Sequence, residues 1–318
     1  MKLGFVYAGQ GSQKVGMGKD FYDTYASFRE TIDKAEEWVK EVTDFDVKQM
    51  CFEGPMEELS KTRFTPPCMV CFAVGVTDLL KEKNIVPDYV CGLSLGEYSA
   101  LYAAEVLTRE EVLNLVAFRG KVMEEAVQGR EVGMAAVLMM DRDTIVSCCK
   151  SASNFLREEG LIVQAANFNC PGQIVISGDK KAVDLAVELL KEQGAKKVIP
   201  LKVSGPFHTS LMKPAGDLLA TRLSTVSFKD AKAKVIFNAT GKPMAEGETY
   251  EALLEKQVQS SVYLEDSIRY MVESGVDTIV EIGPGNAISK FVKKTAPDVK
   301  VYSIDSVEDF EGVVGELK

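Results

Sequence analysis

An α/β fold is predicted for this chain: a large unit with a mostly parallel sheet flanked by helices, and a smaller unit inserted into it. Three observations predict it. Short apolar runs alternate with helical patterns toward both ends of the chain, the rhythm of a doubly wound parallel sheet. Over residues 129–198 the rhythm changes to strand-helix-strand-strand-helix-strand, the split ferredoxin-like order. Gly92-Leu93-Ser94-Leu95-Gly96 stands between a strand-like run and an apolar helical run, the context of a nucleophile elbow.

The elements follow in order. Leu3 to Tyr7 reads as a buried strand, and Gly9-Gln10-Gly11-Ser12-Gln13 as the glycine-rich loop after it. That loop lacks the G-K-[ST] ending of a phosphate loop, which disfavours nucleotide binding. Helical signals run from Met17 to Phe28. Thr31 to Val42 reads as an amphipathic helix with Trp38 as a core anchor. Pro66-Pro67 opens a buried helix reaching Lys83. Tyr89-Val90-Cys91 is the strand into the elbow, and Leu95 to Glu105 the helix out of it. Thr108 with Glu111 forms a capping box for a helix to about Val127.

The inserted unit then reads as strand 133–139, helix 143–156, strands 161–166 and 173–177, helix 181–192 and strand 196–201. The expected division is 1–128 with 199–318 for the large unit and 129–198 for the small one. Ser204-Gly205-Pro206-Phe207 is a turn before His208. Val235 to Asn238 reads as a strand, Tyr263 to Ser274 as a helix and Thr278 to Ile282 as a strand. Gly283-Pro284-Gly285 is a tight turn into a helix from Ala287 to Lys294, and Val299 to Ser303 closes the set.

Composition narrows the function classes. The 318 residues are 46% hydrophobic and 26% charged, ordinary for a globular protein that buries a sizeable core. A net charge of −10 argues against general nucleic-acid binding. An acidic partner would need a local basic patch; Lys180-Lys181, Lys196-Lys197 and Lys293-Lys294 are candidates. Seven cysteines without a secretory signal read as reduced core thiols, including the C-x-x-C pair Cys68 and Cys71 and the vicinal Cys148 and Cys149. No metal site, membrane span or targeting segment is expected, and the cytoplasm is the default compartment.

The chemistry rests on few residues. Serine is a weak nucleophile that needs an adjacent base, most often histidine. The chain has one histidine, so a histidine-activated Ser94 requires His208. Arg119, in a largely apolar helix, is either a snorkelling residue or a carboxylate clamp facing the site.

Taken in order, Gly9-Gln10-Gly11-Ser12-Gln13, Gly92-Leu93-Ser94-Leu95-Gly96-Glu97-Tyr98, Arg119 before Gly120, Phe207-His208, Gln257 and Gly283-Pro284-Gly285 closely resemble the malonyl-CoA:acyl carrier protein transacylases and the acyltransferase domains of fatty-acid and polyketide synthases. The resemblance covers nearly the whole chain and implies a hydrolase-like core carrying the elbow. It implies a malonyl group moved from malonyl-CoA to the phosphopantetheine thiol of an acyl carrier protein through a Ser94 ester, supplying extender units, with no bound cofactor. By the same resemblance, Leu95 and Gln10 supply oxyanion N–H groups, Arg119 holds the malonyl carboxylate, the carbonyl of Gln257 orients His208, and Phe207 disfavours a 2-methyl branch. Two positions depart from the pattern: Leu93 stands where histidine is usual, and Ala8 where proline is common.

The competing readings are a serine thioesterase or esterase, an acyltransferase for another acyl-CoA, and a non-catalytic carrier-docking module. A hydrolase of this type places its histidine near the C-terminus, whereas here a long segment follows His208. Arg119 disfavours neutral acyl groups. A docking module has no need for both Ser94 and His208.

Overall fold

The computed structural model describes residues 1–202 and 205–318. Ser204, where the turn before Phe207 was expected to begin, lies outside them. Two five-stranded sheets organise the chain. The first contains β1 (Leu3–Tyr7), β2 (Tyr89–Gly92), β7 (Lys234–Val235), β9 (Thr278–Ile282) and β10 (Lys300–Ile304), in the order β10-β9-β1-β2-β7, every pair parallel. β1, β2 and β9 are buried throughout, as strands covered by helices on both faces must be. Their carboxyl ends lie side by side, so the loops after β1 and β2 and the Gly283 turn after β9 meet at one edge. That edge is where open α/β sheets gather ligands.

The second sheet contains β3 (Val132–Leu138), β4 (Val163–Cys170), β5 (Gln173–Asp179), β6 (Lys197–Leu201) and β8 (Val262–Tyr263), in the order β6-β3-β5-β4-β8. β3, β4, β5 and β6 pair antiparallel, while β8 joins β4 in parallel from far along the chain. The join is reinforced by side chains. The Phe168 and Tyr263 rings stack at 5.1 Å and 3°, and the Arg142 guanidinium lies 4.0 Å above Phe168 while pairing with Asp266 at 3.1 Å. This clip fixes β8 and the helix Leu264–Glu273 that follows it against β4.

The helix Thr65–Glu82, opened by prolines in its first turn, is buried along most of its length at the centre of the main core. The helix Arg109–Glu125 starts with the full Thr108–Glu111 capping box. Trp38 packs half-buried at the edge of the core rather than at its centre. All seven cysteines are buried and unpaired. Helices Lys213–Leu223, Tyr250–Gln259 and Val307–Leu317 complete the layers. Among the described residues, no helix is long and apolar enough to cross a membrane.

One strand is shorter than its sequence indicates. The apolar run Val235 to Asn238 leaves the ladder after Val235, because Asn238 is drawn beneath the loop that follows β2.

The helix Gly96–Ala103 comes close to β2 and to the end of β1 only because two residues lack side chains. A Cβ on Gly92 would sit 2.0 Å from the Gly96 carbonyl carbon, and one on Gly96 would sit 2.1 Å from the Tyr7 oxygen. Backbone cannot yield as a flexible side chain can. Gly96→Ala is therefore expected to destabilise by about 3 kcal/mol or more. Gly312→Ala, on an open helix surface with nothing within 4 Å, should be neutral or stabilising by up to about 1 kcal/mol. Thermal unfolding of the two variants checks the contrast.

Candidate active site

The elbow places Ser94 at φ +52°, a left-handed conformation that non-glycine residues rarely adopt. The strain turns the chain sharply from β2 into the helix Gly96–Ala103 and brings the serine oxygen to the floor of a cleft of about 720 Å³. His208, also left-handed at φ +60°, lies against it. Ser94 Oγ is 2.7 Å from His208 Nε2, and His208 Nδ1 is 2.9 Å from the backbone carbonyl of Gln257. A carbonyl only accepts, so Nδ1 carries the proton and Nε2 is free to accept from the serine hydroxyl.

The imidazole is buried, and burial followed by the nearby Arg119 charge pulls its pKa down to about 4. His208 is thus neutral, and a base, across the neutral range.

Arg119 is not a snorkelling residue. It is 1% exposed and reaches the cleft, where its Nη2 donates to Ser94 Oγ at 3.1 Å and to Gln257 Oε1 at 3.2 Å. Its Nε has no acceptor among the described residues, and no carboxylate there pairs with it. Glu97, on the helix that leaves the elbow, is fully buried, and burial pushes its pKa up to about 8, which disfavours its ionised form. A buried cation without an ionised partner is costly. A carboxylate entering the cleft would satisfy it, and a guanidinium fork suits that shape.

Gln10 and Leu95 flank the serine from the first loop and the elbow. Among the described residues, neither backbone N–H donates to a backbone carbonyl. Gly9 must lack a side chain, because a Cβ there would meet the Leu93 carbonyl oxygen at 2.4 Å. Leu93 lies half-buried in the cleft wall where a histidine would have been polar. Ala8 meets the Gly283 turn, whose own Cβ would come within 2.4 Å of the alanine methyl. The second sheet supplies the roof with Met134, Val175, Asn167 and Asn169, and Phe207 packs against Met134 and Val175.

The structure thus gathers Ser94, His208, Arg119, Gln10 and Phe207 in one cleft, with Leu95 next to Ser94 and Gln257 buried behind the histidine and arginine. It adds roles that pattern reading had not assigned. The Gln257 side chain spans the site, donating to the Ser94 carbonyl at 2.8 Å while accepting from Arg119. Asn238 bonds both sides of the elbow, and Glu97 accepts the Asn238 N–H at 2.5 Å. One signal could have flagged Asn238: it is the polar residue ending an apolar run, the same carboxyl-end position as the loops already singled out.

Known proteins of the same build agree. The profile of the acyl transferase domain matches residues 4–313. A Bacillus subtilis (strain 168) protein named malonyl CoA-acyl carrier protein transacylase is 42% identical over 317 residues, covering 100% of this chain and 98% of that one. The crystal structure of the Clostridium perfringens protein of the same name superposes with a TM-score of 0.93 at 38% identity, covering 100% of this chain and 97% of the other. A malonyl-transacylase solved in complex with its type II PKS acyl-carrier protein matches at TM-score 0.93 and 32% identity, over 99% of this chain and 100% of that one. With this cleft, this fold and these relatives, the chain belongs to the acyl transferase domain family.

Proposed function

We propose that this chain transfers a malonyl group from malonyl-CoA to the phosphopantetheine thiol of an acyl carrier protein, through an ester on Ser94. The observation that carries the reading is the pairing, in one cleft, of a serine–histidine couple at 2.7 Å with a buried guanidinium that meets no carboxylate among the described residues. The couple supplies acyl transfer. The guanidinium supplies the preference for an acyl group bearing its own carboxylate.

The first half-reaction begins when His208 Nε2 takes the Ser94 proton as Oγ attacks the thioester carbonyl. The oxyanion that forms accepts from the N–H groups of Leu95 and Gln10. Fixed donors of this kind are worth on the order of a hundredfold in rate each. The carbon–sulfur bond then breaks, and the departing CoA thiolate takes the proton from Nε2. In the second half-reaction the carrier's thiol gives its proton to Nε2 and attacks the ester, and Ser94 leaves with that proton.

The Gln257 carbonyl keeps Nδ1 protonated throughout. It orients the ring as an aspartate would, with less support for the imidazolium. Arg119 holds the distal carboxylate, and its Nη2 bond to Ser94 Oγ eases loss of the serine proton. Phe207 walls the pocket where a 2-methyl branch would project, a discrimination of about 1–3 kcal/mol. Pantetheine arrives with each substrate, so the reading needs no resident cofactor. It puts the enzyme in the cytoplasm, where seven unpaired thiols stay reduced.

Intact-protein mass after mixing with malonyl-CoA tests the ester. A malonyl adduct is expected on the wild type and absent from Ser94→Ala. Arg119→Ala should lose about a hundredfold or more in kcat/KM for malonyl-CoA while its discrimination against acetyl-CoA collapses. Rapid CoA release without an adduct would point instead to hydrolysis.

The depressed pKa of His208 sets the sign of the pH dependence. The neutral imidazole is the base, so acylation needs a pH above its pKa. kcat/KM for malonyl-CoA should hold through pH 6.5, where an ordinary histidine would already be half protonated, and fall toward about 4. An acid limb centred at 6.5 or above would contradict the buried, neutral His208.

A further inference from the structure

We propose that Asn238 is the positioning residue that locks Ser94 in its reactive backbone conformation, an inference that rests on the reading of Ser94 as nucleophile. Left-handed backbone at a residue with a Cβ is strained and persists only where surrounding contacts impose it. At the elbow one carboxamide holds both flanks of the bend, while Gln257 Nε2 donates to the Ser94 carbonyl at 2.8 Å. Asn238 Oδ1 accepts the Ser94 N–H at 2.7 Å, and Asn238 Nδ2 donates to the Gly92 carbonyl, also at 2.7 Å. The two bonds straddle Leu93 and pin the chain on both sides of the bend.

The arrangement continues a sheet with a side chain. β7 pairs with β2 through Tyr89 and Val90, and the Ile236 N–H still reaches the Val90 carbonyl. Beyond Val90 the ladder with β7 ends, while β1 goes on pairing with the other edge of β2 through Gly92. The Asn238 amide takes over, offering the donor and acceptor that a parallel strand's backbone would have offered. Only a carboxamide of this length carries both; a carboxylate only accepts, and alanine does neither.

Asn238 is itself held from two directions and is fully buried. Its N–H donates to Glu97 Oε2 at 2.5 Å, on the helix that leaves the elbow. Its carbonyl accepts the Tyr263 N–H at 2.9 Å, on the strand that ties the second sheet to the first. Because Ser94 offers a donor and Gly92 an acceptor, the carboxamide has one orientation, with oxygen toward Ser94. One consequence follows for the chemistry. The Ser94 N–H is committed to Asn238, so an oxyanion there draws on the Leu95 and Gln10 amides.

Asn238 does not line the cleft. A residue that acts only on the placement of Ser94 should change the chemical step and spare substrate binding. Displacement of a reacting atom by about 1 Å costs on the order of a hundredfold.

The test compares full-length wild type, Asn238→Ala, Asn238→Ser and Ser94→Ala. The readouts are kcat and KM for malonyl-CoA with a carrier protein as acceptor, single-turnover formation of the acyl-enzyme by intact mass, and folding by circular dichroism and thermal melting. Asn238→Ala is expected to lose about a hundredfold in kcat. Acylation should slow by the same factor and KM should stay within about threefold, in a folded protein. Asn238→Ser can satisfy one side of the bend and should fall between alanine and wild type; it carries the same kcat-against-KM readout if the alanine variant does not fold. A kcat within about threefold of wild type, or a raised KM with kcat retained, would overturn the assignment. An adduct persisting on Ser94→Ala would overturn the nucleophile itself, and this proposal with it.

Discussion

The structure depends on one close approach. Strand β2 runs into the helix Gly96–Ala103 through a single left-handed residue, and that residue is Ser94. Gly92 and Gly96 permit the approach because any Cβ there would strike backbone at about 2 Å. Once the turn is made, the serine oxygen has one place to point, and the loops after β1 and β9 close around it. Gly9 and Gly283 repeat the device on those loops, with a Leu93 carbonyl and an Ala8 methyl where side chains would have been. Four positions without side chains thus let three strand ends converge.

The second constraint is electrostatic. The site buries Arg119 and disfavours charge on its acid and base neighbours, raising the pKa of Glu97 and lowering that of His208. Burial is the first cause of both shifts, acting in opposite directions because it disfavours charge of either sign. The guanidinium alone retains its charge, since no accessible pH removes it. The site therefore holds an uncompensated positive charge beside a neutral base and a serine. It is a poor site for a neutral acyl group and a favourable one for an acyl group that brings its own anion.

Several of these features were legible in the chain. The G-x-S-x-G run with strand before and helix after, the single histidine, the capping box at Thr108 and the six-element rhythm of the second sheet are local patterns, and each has a local cause. The part played by Asn238 was not legible. It requires knowing that β7 lies beside β2, a pairing between residues almost 150 positions apart. The shortened β7 is the same fact from the other side: an apolar run reads as a strand, yet its last residues serve the neighbouring bend. Nor could Trp38 be placed, since half-burial at a core edge and full burial at a core centre share one helical spacing.

By itself the sequence determined the α/β class, the elbow and the necessity of His208, because periodicity, glycine placement and residue scarcity act over a few positions or over the whole composition. Tertiary structure alone decided that Arg119 faces the cleft rather than solvent, that Gln257 touches histidine, arginine and serine together, and that burial raises the pKa of Glu97. Hydrogen-bond partners and dielectric surroundings are supplied by segments distant in the chain. A charge or an amide acquires its chemical meaning only when those segments have packed around it.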